Sequence, residues 1–334
     1  MLNPALKLKE DLFSDKIAKA ATRDGFGKGV VEAGKHNANV VVLCADLKES
    51  TRAEWFEKEF PDRFIEVGVA EQAMATIASG MAAVGKIPFI ASYAAFSPGR
   101  NYEQIRTTIA LNNVPVKVMG MHAGVSVGPD GATHQMLEDI GLMRALPNMV
   151  VINPIDAEDA RKAIVAVAKT PQPTYVRFGR SPTPTFTTGD TPFQVGKALT
   201  LWQGARPQVV LCVTGSLAYN ALLAARALEA EGIESIVLAI ATIKPLDEAA
   251  ILDAARLARH VLTIEEHQVN GGLGSAVAEL LSERLPTPLR RLGIMDEFGQ
   301  SGDPEELIEH YGLGASSIRH AAEALLHGHE RTHR

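Results

Sequence analysis

The chain is poor in cysteine: 334 residues hold only Cys44 and Cys212. Each lies inside an apolar run, VVVLCADL and VVLCVTGS. Two thiols on distant buried strands exclude a disulfide scaffold and suit a reducing, cytoplasmic setting. Aromatic residues make up 5% against 46% hydrophobic residues in all, so the core must be built of Ala, Val, Ile and Leu. There is no excess of positive charge. The 33 basic and 39 acidic residues leave a net charge of −6, with no local Lys/Arg cluster, which excludes the electrostatic footprint of a nucleic-acid binder. Long hydrophobic runs are missing too. The most apolar window, 73–96, is broken by Gly85, Lys86 and Pro88, so no membrane-spanning segment is expected. The opening MLNPALKLKEDLFSDK alternates charge and has no signal-peptide core. Internal repeats and low-complexity tracts are absent. These exclusions leave a globular cytoplasmic protein of about two domains, at roughly 150 residues each.

What is present is a regular alternation. Short continuous apolar runs at 39–45, 63–67, 87–92, 114–121, 149–152 and 174–178 read as strands buried on both faces. Between them 70–84, 99–111, 135–145 and 156–169 read as helices, the last with Asp156 as N-cap and Asp159 in its first turn. Six strands joined by helices predict an α/β protein with a doubly wound parallel sheet. The Pro/Thr-rich stretch 181–193 reads as a linker. Beyond it the pattern resumes, with strands at 209–214, 235–239, 260–264 and 289–292 and helices at 216–231, 247–258 and 272–284. Asp303-Pro304 signals one more helix start. The division is therefore a first domain over 1–185, a second, smaller α/β domain over 186–330, and a tail, 331–334. The closing HGHERTHR reads as a frayed end rather than a metal site.

In open parallel sheets ligands bind beyond the carboxyl ends of the strands. There the sequence places Asp46 and Ser50, then Glu71, then Tyr93 and Phe96, then the segment His122 to His134 with Asp130, and finally Arg180. This convergence on one edge is the main residue-level argument for a site. Glu71 has two readings on spacing alone: a carboxylate favoured by a helix N-terminus, or an acceptor for a heterocycle nitrogen. Both stand. The segment 122–134 holds four Gly or Pro in thirteen residues and reads as an open loop. His122, Asp130 and His134 match no usual zinc spacing, whereas anion or sugar binding suits their chemistry. Tyr93 and Phe96 are either core packing or a stacking surface for a flat ligand. Two glycine-rich strings are weaker. Gly25-Phe-Gly27-Lys28-Gly29 falls within a helix pattern, and Asn270-Gly-Gly-Leu-Gly274-Ser275 opens a helix but lacks a P-loop ending.

With these residues assembled, the chain resembles the second half of a transketolase. The marks are FIEVGVAEQ, SYAAF followed by EQIR, HAGVSVGPDGATHQ, PNMVVINPID and TYVRFGRSP, in that order. The resemblance implies a pyrimidine-binding domain and then a transketolase C-terminal domain, using thiamine diphosphate and Mg2+. It implies that Glu71 bonds the pyrimidine N1′ and drives acid–base work through the cofactor. Tyr93 and Phe96 match the aromatics flanking the pyrimidine; Gly99 stands where the family often has a third. Asp46 matches an aspartate near the cofactor. Arg23, Ser50, His122, Asp130, His134 and Arg180 fall where transketolases bind sugar phosphates. His122 and His134 join Glu71 as catalytic residues, and Arg23 and Arg180 would clamp phosphate.

The family's Gly-Asp-Gly…Asn motif for diphosphate and Mg2+ is not in this sequence; the one similar string, Gly128-Pro-Asp-Gly131, belongs to the substrate loop. The resemblance therefore implies the C-terminal subunit of a split transketolase. It would be inactive without an N-terminal partner subunit that binds the diphosphate and the metal, and an α2β2 heterotetramer is expected. Three rivals remain. Thr133-His134-Gln135 and the distal arginines speak against the β subunit of a 2-oxo acid dehydrogenase. A deoxyxylulose phosphate synthase-like enzyme has an arginine at the place of His122. A non-catalytic assembly subunit would have little reason to keep Glu71, His122, Asp130, His134 and Arg180 together.

Overall fold

Residues 40–44 are buried at every position and form the strand Val40–Cys44, with parallel neighbours on both sides. The structure, a computed structural model, describes residues 1–328; the tail 331–334 and its histidine lie outside the described residues. Six parallel strands run in the order Phe64–Glu66, Val40–Cys44, Ile87–Tyr93, Lys117–Met121, Thr174–Arg177, Val150–Ile152. The second strand of the chain lies to one side of the first and the third to the other. The topological switch point, where doubly wound sheets take ligands, thus falls between Val40–Cys44 and Ile87–Tyr93.

A seventh strand corrects the all-parallel expectation. Thr242–Lys244, from the second domain, pairs antiparallel with Val150–Ile152 at the sheet edge. The second domain has its own sheet, ordered Leu289–Ile294, Val261–Gln268, Val209–Val213, Ser235–Ala239, Leu199–Gln203, of which only the last is antiparallel. Leu199–Gln203 escapes a search for buried runs because its first two residues are half-buried.

Two boundary regions are tied down more firmly than composition suggests. Asn3 N–H donates to Leu201 O at 3.0 Å, and Leu6, Leu12 and Ile17 pack with Leu201 and Trp202. The first seventeen residues thus belong to the second core. The Pro/Thr-rich stretch is no free linker: Thr183–Pro184 pairs with Lys19–Ala20, and Phe186 is fully buried. Asp156 explains both ends of this anchor. One carboxylate oxygen caps its helix by accepting from Asp159 N–H at 2.8 Å, and the other accepts from Phe186 and Thr187 N–H at 2.9 and 2.7 Å.

The glycines of Gly25-Phe-Gly27-Lys28-Gly29 lie within the helix Thr22–His36 and let it close on Ala157–Val167: a Cβ at Gly29 would stand 2.7 Å from Arg161 O. The Asn270–Ser275 turn opens the helix Leu273–Arg284, but the protein fills that anion position itself. Both Glu265 oxygens accept backbone N–H groups there, from Leu273 and Gly274, at 2.7 Å each.

Glu265 belongs to a buried ionic cluster between the domains. Asp139 accepts from Arg177 Nε at 2.9 Å and from Tyr175 OH at 2.6 Å. Arg177 also donates to Glu266 O at 2.8 Å, and Glu266 accepts from Ser126 N–H at 2.6 Å. His267 uses both ring nitrogens, one accepting from Gly141 N–H at 3.3 Å and the other bonding Gln268 O at 2.7 Å. Burial pushes the Glu265 carboxyl up to about 7 and the His267 imidazole down to about 4.

Candidate active site

At the switch point the strand ends turn sharply. Asp46 follows Val40–Cys44 with φ of 58°, and its N–H and that of Gly68 both donate to Glu66 Oε1 at 2.8 Å. Glu66 thereby pins the two loops that precede Ser50 and Glu71. Ser50 lies in the short helix Lys48–Thr51, and its hydroxyl meets Tyr93 OH at 2.7 Å. This bond joins the end of the first strand's loop to the end of the third strand. It spans the switch point.

Glu71 is the first residue of the helix Glu71–Ala83 and is 2% exposed. Its carboxylate accepts from Arg100 Nη1 at 2.6 Å, and its carbonyl accepts from the buried Asn101 amide at 3.0 Å. The Arg100 guanidinium lies over the Phe96 ring, 4.7 Å from the centroid. Tyr93 and Phe96 stack at 6.0 Å with 14° between their planes, and the His134 ring meets both edge-on. A Cβ on Gly99 would collide with Ala95 O, so this backbone leaves no room for an aromatic side chain there.

His122 ends the strand Lys117–Met121 with φ of 54° and is 1% exposed. Its ring stacks on Tyr93 at 4.0 Å. Arg23 Nη1 lies 3.3 Å from His122 Nε2 and donates to Ser50 O at 2.8 Å. Arginine only donates, so Nε2 is the acceptor and the imidazole proton sits on Nδ1, which has no protein partner. Burial first, then the charges of Arg23 and Arg180, hold this imidazole down at about 3. It is neutral at pH 7 and presents one buried, unsatisfied N–H. Arg23 is itself half-buried with Nε unpartnered, and burial and Arg52 lower its affinity for its proton.

The loop after His122 is braced by the second domain. Gln135 Nε2 donates to Val125 O, Gly128 O and Gln300 O at 3.1, 3.1 and 2.9 Å. Gly128, at φ 80°, packs against Pro304, whose helix Pro304–His310 is capped by Asp303 as its sequence suggests. On this frame Arg180 donates to Asp130 at 3.2 Å and to Val127 O at 3.1 Å.

The structure thus brings Arg23, Ser50, Tyr93, Phe96, His122 and His134 into one contact cluster, with Glu71 joined through Arg100. Asp130 and Arg180 form a pair of their own, close enough for Arg180 to act on His122. Asp46 stands apart, exposed, bonded only through its backbone. Reading strand ends misses Arg100, Asn101, Glu66 and Gln135. Only the position of Arg100 and Asn101 between Phe96 and Tyr102, just past a strand, hinted at the first two. Among the described residues no group of three or more His, Cys, Asp or Glu could hold a metal ion. A groove of about 750 Å3 borders the 122–134 loop at Ser126, with Ser181 beside it, and is lined further by Asp15, Lys19, Tyr219, Glu305 and Glu309 among others; its carboxylates outnumber its one lysine.

The switch-point arrangement suits a flat nitrogen heterocycle. Phe96 offers a ring face, Glu71 a buried acceptor, and the orphaned His122 N–H a donor to an oxygen nearby. Comparisons with known proteins identify the family. The family model for the transketolase pyrimidine binding domain matches residues 18–185, and that for the transketolase C-terminal domain matches 196–318. A putative transketolase C-terminal section of Methanocaldococcus jannaschii is 43% identical over 299 residues, covering 89% of this chain and 93% of that protein. The 6-deoxy-6-sulfo-D-fructose transketolase subunit SqwH of Clostridium sp. (strain MSTE9) is 38% identical over 93% of this chain and 96% of its own length. Transketolase of Homo sapiens is 35% identical over 92% of this chain, which spans only 49% of that protein. A solved structure described as a split gene transketolase, an inactive beta4 tetramer, superposes with a TM-score of 0.85 at 43% identity, covering 92% of this chain and 98% of its own. The chain therefore belongs to the transketolase family, of which it carries the pyrimidine-binding and C-terminal domains.

Proposed function

We propose that this chain is the C-terminal subunit of a split, thiamine diphosphate-dependent transketolase that moves a two-carbon ketol unit from a ketose phosphate to an aldose phosphate. The observation that carries the reading is the buried Glu71 carboxylate beside the Phe96 ring, at the same sheet edge as Arg23, His122 and the Asp130–Arg180 pair. When bound, thiamine diphosphate supplies the carbon nucleophile that carries the transferred unit. The chain's own residues do the rest. Glu71 would hold a proton against the pyrimidine N1′, with Phe96 and Tyr93 at the ring face. An aromatic contact of this kind contributes about 0.5–1.5 kcal/mol. His122, neutral and with its free Nδ1–H, would donate to the sugar's reacting oxygen, a role in which a charged imidazolium is not needed. His134 would serve proton transfer at a neighbouring hydroxyl, and Ser50 and Asp130 would bind hydroxyls. Arg180 and Arg23 would take the phosphate, Arg180 by exchanging its exposed contact with Asp130 for two phosphate oxygens. Asp46, exposed beside the cluster, would approach the cofactor only in the assembled enzyme.

The diphosphate and Mg2+ would be held by an N-terminal partner subunit, since neither a Gly-Asp-Gly…Asn motif nor a carboxylate cluster of the right kind is found among the described residues. An uncharged face favours assembly: Val69, Ile77 and Val84, on and beside the Glu71 helix, are 70%, 45% and 79% exposed. An α2β2 complex would cover such a face twice by symmetry. Buried, unpaired Cys44 and Cys212, with thiols pushed up to about 11 and about 12, fit a reducing cytoplasm. No described helix is long and apolar enough to cross a membrane.

The test is co-purification with a partner subunit carrying the missing motif, followed by a screen of donors and acceptors. Transfer from xylulose 5-phosphate to ribose 5-phosphate is expected. Oxidation of pyruvate with a dye acceptor would instead mark a 2-oxo acid dehydrogenase. A sulfonated ketose belongs in the screen, because sulfonate offers the same arginines the same oxygens and one relative is named for such a sugar.

A further inference from the structure

The Arg100 side chain makes two contacts that a bound pyrimidine would also need. Its flat, cationic N–C–N unit lies on the Phe96 ring at 4.7 Å, and it donates to Glu71 Oε2 at 2.6 Å. We propose that Arg100 is a built-in placeholder for the cofactor's aminopyrimidine: it occupies the ring face and the carboxylate in the free chain and swings out when thiamine diphosphate enters. This rests on the assignment of Glu71 and Phe96 to the pyrimidine.

The two partners are unequal in a way that suits the role. Glu71 is 2% exposed and cannot reach water, so it needs a partner at all times; a buried carboxylate stripped of its cation is strongly destabilising. Arg100 is 46% exposed and loses little by returning to water. The pair is thus easily broken from one side only. The backbone is anchored independently of the guanidinium: Asn101, fully buried, donates to Glu71 O at 3.0 Å and to Ser97 Oγ at 3.1 Å, and Arg100 N–H donates to Phe96 O at 3.1 Å. The Arg100 side chain can therefore leave while the turn stays. At Gly99 the backbone of Ala95 fills the space a side chain would need, so no ring can stand there. The family's third aromatic would be a permanent wall; here a movable planar cation stands next to its position.

A placeholder costs affinity, because the cofactor binds only the fraction of molecules whose pocket is vacated. The experiment uses the complex with the partner subunit and thiamine diphosphate with Mg2+ as the probe, and it reads binding rather than turnover. For the parent, Arg100→Ala, Arg100→Gln and Phe96→Ala, the dissociation constant and association rate are measured by calorimetry and stopped-flow fluorescence. Melting temperature is recorded with and without cofactor. Arg100→Ala is expected to bind about three- to tenfold tighter, to melt lower than the parent without cofactor, and to equal it with cofactor. Arg100→Gln, which keeps one donor without the charge, should fall between and serves if the alanine variant does not assemble. In the parent, the guanidinium NMR signal of Arg100 should lose its protection from exchange as cofactor is added. Unchanged or weaker binding in both Arg100 variants, with Phe96→Ala still weakened, overturns the placeholder and leaves the pyrimidine assignment standing. Parent-like binding in Phe96→Ala overturns the assignment and the placeholder with it.

Discussion

Two clusters of buried polar residues lie within this chain, and they are built to opposite ends. The interdomain cluster of Asp139, Tyr175, Arg177, Glu265, Glu266 and His267 closes on itself: each residue finds a protein partner, and Asp139 Oδ1 is its one fully buried side-chain atom without one. The switch-point cluster is open. His122 Nδ1 and Arg23 Nε have no protein partner, and Glu71 is satisfied by a side chain that half belongs to solvent. Buried donors left unpaired cost free energy, and two such nitrogens side by side on charged or ionisable residues at a sheet's switch point are where a ligand can satisfy them. Closure marks structure and incompleteness marks function, although both clusters look alike by charge and burial.

Breaking the closed cluster should show the largest effect on stability. Asp139→Ala leaves Arg177 buried without its carboxylate and Tyr175 OH without its acceptor, and should cost about 3–5 kcal/mol in urea unfolding. The two neutral histidines sharpen the contrast. His267→Asn, which removes the hydrogen bonds of both ring nitrogens, should destabilise the chain at pH 7 by about 1–3 kcal/mol. His122→Asn should change stability by less than about 1 kcal/mol while lowering transfer about 100-fold or more in the complex. Their pH signature is shared. An unfolded imidazole takes its proton near 6.5, whereas the folded groups wait until about 3 for His122 and about 4 for His267. Below pH 6.5 the unfolded chain therefore binds more protons, and each histidine makes stability fall as pH drops towards those values. Glu265 and Asp159, both pushed up to about 7 by burial, act in the opposite sense above pH 4.5. The readout is thus the difference between variant and parent: each Asn variant should remove about one proton from the slope. The smallest stability effect belongs to Asp130→Asn at the exposed rim, under about 1 kcal/mol, with a raised KM for the sugar as its main consequence.

The open cluster was legible in the sequence and the closed one was not, for physical reasons. Strand ends in a parallel sheet share an edge, so listing Ser50, Glu71, Tyr93, His122 and Arg180 after their strands already gathers a site. Glu265, Glu266 and His267 belong to the strand Val261–Gln268, which on hydropathy stops at Ile264. Three ionisable residues in a row look like a surface loop, yet here the second domain's strand runs on under the first domain and buries all three. Thr242–Lys244 was hidden likewise, since a strand of three residues on another domain's sheet leaves no local pattern. Arg100 went unread because its importance lies in what it covers. The linker at 181–193 falls at the junction of the two family models, but composition could not show that it packs down: Phe186 is buried and its N–H is held by Asp156, thirty positions away.

In the proposed function, Glu71 performs the acid–base work at the pyrimidine. The most direct measurement is ketol transfer by the two-subunit complex bearing Glu71→Gln, assayed with xylulose 5-phosphate and ribose 5-phosphate, with cofactor binding measured alongside. Glutamine keeps the size and a hydrogen bond but cannot hold and return a proton. A fall in kcat of about 10²–10⁴-fold, with the complex still assembled and the cofactor still bound, is the predicted result. Near-normal turnover would remove Glu71 from that role.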